Sequence, residues 1–127
     1  MIFFSFAILF SFLFSTVDIN TPWGICTLVN NGGSFTDHEV EKIILNKIEK
    51  LNNTLSDINN NKPFNIIIDQ NEYKTNNPHW KWSLGITYRH PERIIIKDPS
   101  SSHVSKSRFK TVLEHELNHI LIWHLVQ

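Results

Sequence analysis

From about Ser105 to Val126 the chain contains neither glycine nor proline, and the second half of that stretch is mostly apolar. A segment so long and so free of helix breakers predicts a helix, and its apolar content predicts a buried one. Inside it stand His115-Glu116-Leu117-Asn118-His119, the pattern H-E-x-x-H. At 3.6 residues per turn, His115 and His119 share one face about one turn apart, so both imidazoles reach a single tetrahedral Zn²⁺. Glu116 lies roughly 100° round from His115 and stands beside that point. There its carboxylate can take a proton from a water that the ion activates and deliver it to a leaving amine. The spacing therefore serves metal-assisted hydrolysis, with His115 and His119 as ligands and Glu116 as general base.

The plainer alternative is a satisfied or solvated polar face with no metal. Against it stand the flanks Val112, Leu113, Leu117, Ile120, Leu121, Ile122 and Leu125, all apolar. Two histidines and an ionisable glutamate are costly to bury on such a helix without a partner.

Length and charge narrow the setting. The 127 residues, 41% of them hydrophobic, suffice for one domain with a modest core and exclude a large multidomain enzyme. Twelve basic residues balance twelve acidic ones, so the totals offer no attraction to a phosphate backbone, and nucleic acid is not expected as a partner. The single cysteine, Cys26, rules out an intrachain disulfide and a Cys-rich zinc knuckle, leaving only pairing between chains. Any metal must then rest on His, Asp and Glu.

Residues 1–17 carry no charged side chain, and from Ile2 to Phe14 only Ser5 and Ser11 interrupt the apolar run. That run falls short of the roughly 20 residues that span a bilayer and resembles the h-region of a secretory signal, so a secreted or periplasmic product is expected. It lacks a preceding Lys or Arg and a clear small-x-small cleavage site, which keeps a retained membrane anchor and a buried globular helix as alternatives. The soluble domain is accordingly expected over residues 18–127, starting near Asp18.

Along that domain, Trp23 to Val29 reads as a first strand, closed by Asn30-Asn31-Gly32-Gly33, residues that tolerate positive φ. Thr36 with Glu39 forms a capping box, after which Val40, Ile43, Ile44, Ile48, Leu51 and Leu55 recur near the helical period, predicting an amphipathic helix over residues 37–55. An Asn-rich connection ending at Pro63 precedes a β-branched strand, Phe64 to Asp69, and a polar loop from Asn71 to Pro78. Trp82 to Tyr88 and Arg93 to Lys97 read as an antiparallel hairpin around Arg89-His90-Pro91-Glu92. The fold class expected is α+β, a small mixed sheet with two helices.

The remaining histidines have weaker claims. His124 lies about 180° from His115 on the wheel, which predicts packing or surface exposure and makes it a poor third ligand. His38 is expected on the polar side of the first helix, His90 in the hairpin loop, and His79 and His103 in loops. Trp23, Trp80 and Trp82 are expected in the core or on a sheet face, since no basic groove accompanies them.

Taken together, Trp80 to Tyr88 (Trp-Lys-Trp-Ser-Leu-Gly-Ile-Thr-Tyr), Arg93-Ile94-Ile95-Ile96 and Val112 to Leu121 with its H-E-x-x-H resemble the zincin metallopeptidases, and more closely the gluzincin-type peptidase MA-like domains. The resemblance covers roughly residues 60–125. It implies a zincin-like N-terminal half in which an edge strand, within residues 82–88, lines the cleft and takes a peptide by strand addition. It also implies a third zinc ligand, a Glu on a later helix. Here only Ile120 to Gln127 follow His119, with no acidic residue, and the third-His extension of the metzincins is absent too. Glu114, Glu92 and Glu72 are badly placed to substitute.

The function expected is thus an exported zinc-dependent peptidase domain acting on peptides or proteins, truncated after the H-E-x-x-H helix and of little or no activity by itself. The alternatives are a non-catalytic remnant or binding module that keeps the zincin half-fold, and a small membrane-anchored interaction protein that retains residues 1–17.

Overall fold

The computed structural model describes residues 16–54, 61–69, 84–99 and 105–125. Strand β1 (Thr16–Thr21) turns back into β2 (Gly24–Asn30), helix α1 (Asp37–Thr54) follows, and then β3 (Phe64–Asp69), β4 (Gly85–Tyr88), β5 (Arg93–Lys97) and helix α2 (Lys106–His124). The five strands form one mixed sheet in the order β1-β2-β3-β5-β4. The central strands β2, β3 and β5 are parallel, and the two outer strands run antiparallel to their neighbours. The α+β expectation holds at this level.

Period-2 burial drives the sheet. Phe64, Ile66 and Ile68 of β3 are buried, as are Ile94 and Ile96 of β5 and Cys26 and Leu28 of β2. They meet Val40, Ile44 and Ile48 of α1, spaced four apart along one stripe. From α2 come Phe109, Leu113, Leu117, Ile120 and Leu121. Each fully buried side chain of this size contributes roughly 1.5–3 kcal/mol relative to exposure.

The start of α1 agrees with the capping box. Glu39 N donates to Thr36 Oγ1 at 3.1 Å, and Thr36 N donates to Glu39 Oε1 at 3.0 Å. The Thr36 hydrogen bonds hold the exposed Glu39 carboxyl below its ordinary pKa. Helix α2 is capped by Ser105, whose Oγ accepts from Arg108 N at 3.2 Å.

Three features depart from the sequence reading. Strand β1 was not expected: Thr16 pairs with Val29 and Val17 with Leu28, so the division after residue 17 runs through a strand. Its alternation of Val17, Ile19 and Thr21 with Asp18 and Asn20 is a strand signal that the apolar run before it hides. The rest of that run, residues 1–15, lies outside the described residues, as do Trp80 and Trp82, His79 and His103, and most of the connections at 55–60 and 70–83. Among the described residues no helix is long and apolar enough to cross a membrane.

Second, β2 begins at Gly24, and Trp23 sits in the tight turn before it, fully buried, with Nε1 donating to Asn52 Oδ1 at 2.9 Å. Gly24 takes φ 129°, and a Cβ there would lie 2.1 Å from Lys62 O. Third, Gly32 and Gly33 do not adopt positive φ. Gly32 is needed for close approach instead, because a Cβ on it would lie 2.2 Å from Asp98 Oδ1. Buried Asp98 ties the β2–α1 connection to the end of β5 by accepting from Ser34 Oγ at 2.6 Å.

Candidate functional site

Helix α2 separates its polar groups by face. His115 and His119 are exposed, with ring centroids 5.1 Å apart and planes at 80°, so the one-turn spacing does bring the two imidazoles side by side. Glu116, one residue round, is turned inward and only 7% exposed. Its carboxylate accepts a hydrogen bond from Thr87 Oγ1, a side chain of β4. Within the described sheet β4 is the outermost strand, paired on one side with β5 and unpaired by any strand on the other.

Gly85 is why β4 can come so close. A Cβ at that position would lie 3.0 Å from Val112 Cγ1 and 3.3 Å from Glu116 Cγ, so only a glycine lets the strand rest on this part of α2 without displacing either side chain. Thr87, two residues on, points to the same face and delivers its hydroxyl to Glu116. Neither residue follows from the helical motif. The lone glycine inside a strand-like run was the one available sign of a close backbone approach.

Between β4 and α2 lies a cleft of about 450 Å³. Leu84 and Gly85 form one wall, and Arg108, Val112, His115 and Glu116 line the other. A second, shallower groove of about 290 Å³ opens on the α1 side of His115, bordered by Lys47, Thr111, Glu114 and Asn118. His115 therefore stands on the ridge between them. Glu114 belongs to the α1 side, where it also borders a groove with Lys50 and Lys110.

Of the two places that the wheel allows His124, packed or on the surface, the structure has it packed and fully buried. Its ring lies 6.0 Å from those of Trp23 and Phe64. Its Nε2 is 2.6 Å from Glu92 Oε1, with Lys62 Nζ 4.0 Å from the other carboxylate oxygen. Glu92, in the hairpin connection as expected, is thus buried and engaged on the far side of the helix from the His115/His119 pair. His38 and His90 are exposed. Cys26 is buried in the core, and that burial, reinforced by the Asp18 carboxylate, pushes its thiol up to about 12. Pairing between chains through this thiol is therefore disfavoured, because thiol–disulfide exchange needs an accessible thiolate.

Two imidazoles side by side can serve as ligands to one metal ion, and a carboxylate beside them as a proton acceptor. Among the described residues no group of three or more His, Cys, Asp or Glu side chains converges on one point, so the third protein ligand is not found among them. Glu72 lies outside the described residues. The surroundings of Glu116 suit a base: one hydroxyl fixes its carboxylate while the cleft leaves it reachable. No family model, no curated protein and no solved structure matches the chain.

Proposed function

We propose that this chain is a zincin-like, zinc-dependent peptidase domain in which His115 and His119 hold the ion and Glu116 acts as general base. The observation that carries the reading is the exposed histidine pair beside a cleft into which the edge strand's Thr87 orients Glu116. When bound, Zn²⁺ supplies Lewis acidity that makes water a nucleophile near neutral pH. Glu116 would take a proton from the attacking water and pass it to the departing amine nitrogen, so the carboxylate would end as it began. Thr87 acts as a positioning residue, holding one carboxylate oxygen so that the other faces the cleft. The outer edge of β4, which no described strand pairs, suits an extended peptide, which would add as a further strand and lay its backbone along the cleft.

Two protein ligands leave the remaining positions to water, so zinc should bind more weakly than at a three-ligand catalytic site. Metal analysis of purified protein tests the assignment. Wild type and Glu116→Gln should retain about one zinc, the one-ion site that an i, i+4 histidine pair makes, and His119→Ala should retain none. Equal zinc in wild type and His119→Ala would sink it.

A second reading, a non-catalytic module keeping the half-fold and the metal, is favoured by the lack of a third convergent ligand among the described residues. The two separate in one assay. Chelator-sensitive peptide cleavage lost in Glu116→Gln supports the enzyme, and zinc retention without cleavage supports the module. For residues 1–17 we propose export, with a retained anchor as the alternative. A mature N-terminus near Asp18 by mass spectrometry supports export, and an intact Met1 on a soluble product contradicts it.

A further inference from the structure

The cleft has opposite charges at its two ends. Glu116 lies toward one, and Arg108, eight residues earlier on α2, toward the other. Arg108 is exposed; its backbone N–H donates to Ser105 Oγ at 3.2 Å, and among the described residues no ion pair holds its guanidinium. Between the two ends the described lining is uncharged apart from His115: Leu84, Gly85, Thr111 and Val112. Eight positions of helix separate Arg108 from Glu116, a rise of about 12 Å at roughly 1.5 Å per residue. An extended chain covers that distance in about three to four residues at roughly 3.3 Å each.

We infer that this cleft selects peptides carrying a carboxylate about three to four residues from the bond that lies against Glu116, with Arg108 as the specificity-determining residue. The inference rests on the peptidase reading for the position of that bond, and it names the substrate class. A carboxylate placed at the far end meets the guanidinium of Arg108, a planar donor fork that suits it. The charge pattern therefore sets register as well as preference. An acidic side chain and a chain's own C-terminal carboxylate offer the same chemistry at that point.

Binding can be read without turnover. Full-length Glu116→Gln protein is titrated, by fluorescence anisotropy, with labelled alanine-rich peptides. One set is amidated with a single Asp moved along the chain, one is uncharged and amidated, and one ends in a free carboxylate. The best-placed Asp peptide should bind up to about fivefold tighter than the uncharged one at low salt, as a partly exposed ion pair allows, and the difference should shrink as salt rises. Adding Arg108→Gln should erase the preference, Arg108→Lys should keep part of it, and Arg108→Glu should transfer it to a peptide with Lys in place of Asp. A gain in the free-carboxylate set alone identifies the C-terminus as the group read, and a gain in the Asp set alone identifies a side chain. Equal affinity across all three sets, an unchanged preference in Arg108→Gln, or no saturable binding of any peptide overturns the inference. Zinc content measured on the same preparations keeps the two readings apart. In the Glu116→Gln parent, a charge preference without bound metal counts against the peptidase reading only, and bound metal without any charge preference counts against Arg108 only.

Discussion

Helix α2 carries the His115/His119 pair on its outer face and His124 near its C-terminal end on the inner one, and the two places differ in every physical respect. His124 is fully enclosed, packed against Trp23 and Phe64, and bonded to Glu92, itself nearly buried. His115 and His119 are exposed and have each other as ring neighbours. A buried imidazole with a carboxylate partner has its hydrogen-bonding capacity committed to the fold. An exposed pair at one-turn spacing has nitrogens to offer. The glutamates divide the same way: Glu92 is hydrogen-bonded to buried His124, and Glu116 is held by one neutral hydroxyl beside an open cleft. Histidine and glutamate side by side in sequence thus say little about role until it is known which of them the fold has already satisfied.

Opposite responses to substitution provide the strongest test of that contrast. His124→Ala should cost about 3–5 kcal/mol of unfolding free energy, because it opens a cavity beside Trp23 and leaves the Glu92 carboxylate without its partner. In urea titrations His115→Ala and His119→Ala should change stability by no more than about 0.5 kcal/mol, the usual effect of an exposed substitution, while losing zinc. If His124→Ala unfolds at the wild-type midpoint, or His119→Ala is as damaging as His124→Ala, the division between a structural and a functional histidine collapses.

Gly85→Val should come next, at about 1–3 kcal/mol, since its Cβ would already press to 3.0 Å on Val112 Cγ1 and 3.3 Å on Glu116 Cγ, and its methyl groups add to that crowding. Lifting β4 would also displace Thr87, so peptide binding should fall with stability. Unaltered binding in a destabilised Gly85→Val would show that the cleft does not depend on this close approach.

Thr87→Val removes the hydroxyl that Glu116 accepts from and should cost about 1–2 kcal/mol, the penalty for a nearly buried carboxylate left without its donor. Any chelator-sensitive hydrolysis should drop with little change in KM, and Thr87→Ser should restore it. A KM effect without a kcat effect would make Thr87 a binding residue instead.

The smallest expected effect lies away from the site, at the start of α1. The Glu39 carboxyl titrates below its ordinary value in the folded chain because Thr36 hydrogen-bonds its charged form. A folded-state pKa below the unfolded one stabilises the fold above the unfolded value, and that contribution is lost as pH falls through the folded value. Glu39→Gln should therefore flatten the loss of stability below about pH 4.3, the ordinary glutamate range. Parallel acid titrations for wild type and variant, followed by circular dichroism, would contradict this assignment.

Helices and central strands were legible because their patterns are local. Val40, Ile44 and Ile48 repeat at helical spacing, Phe64, Ile66 and Ile68 alternate, and Thr36 with Glu39 announces an N-terminus within four residues. Burial then follows periodicity, and the observed elements fall within a few residues of those expected. Strand β1 was obscured because its alternation adjoins the apolar run of residues 1–15, which draws the reading toward a leader. The glycines misled for a related reason: Gly32 serves a contact with Asp98, 66 positions later in the numbering, and nothing near it in sequence reports that.

For the site, sequence alone determined that His115 and His119 share a helical face and that Glu116 lies to one side, since a regular helix converts spacing into direction. It also determined that His124 points away. Tertiary structure decided what those directions meet. Thr87 and Gly85 come from an edge strand that reaches α2 only after β5 has joined β3, and Glu92 reaches His124 only when the hairpin folds against the same helix. Arg108 and Glu116 become the two ends of one cleft by the same docking. Spacing along a chain fixes angles within an element, whereas partners across elements depend on the packing of the whole core, which no short motif encodes.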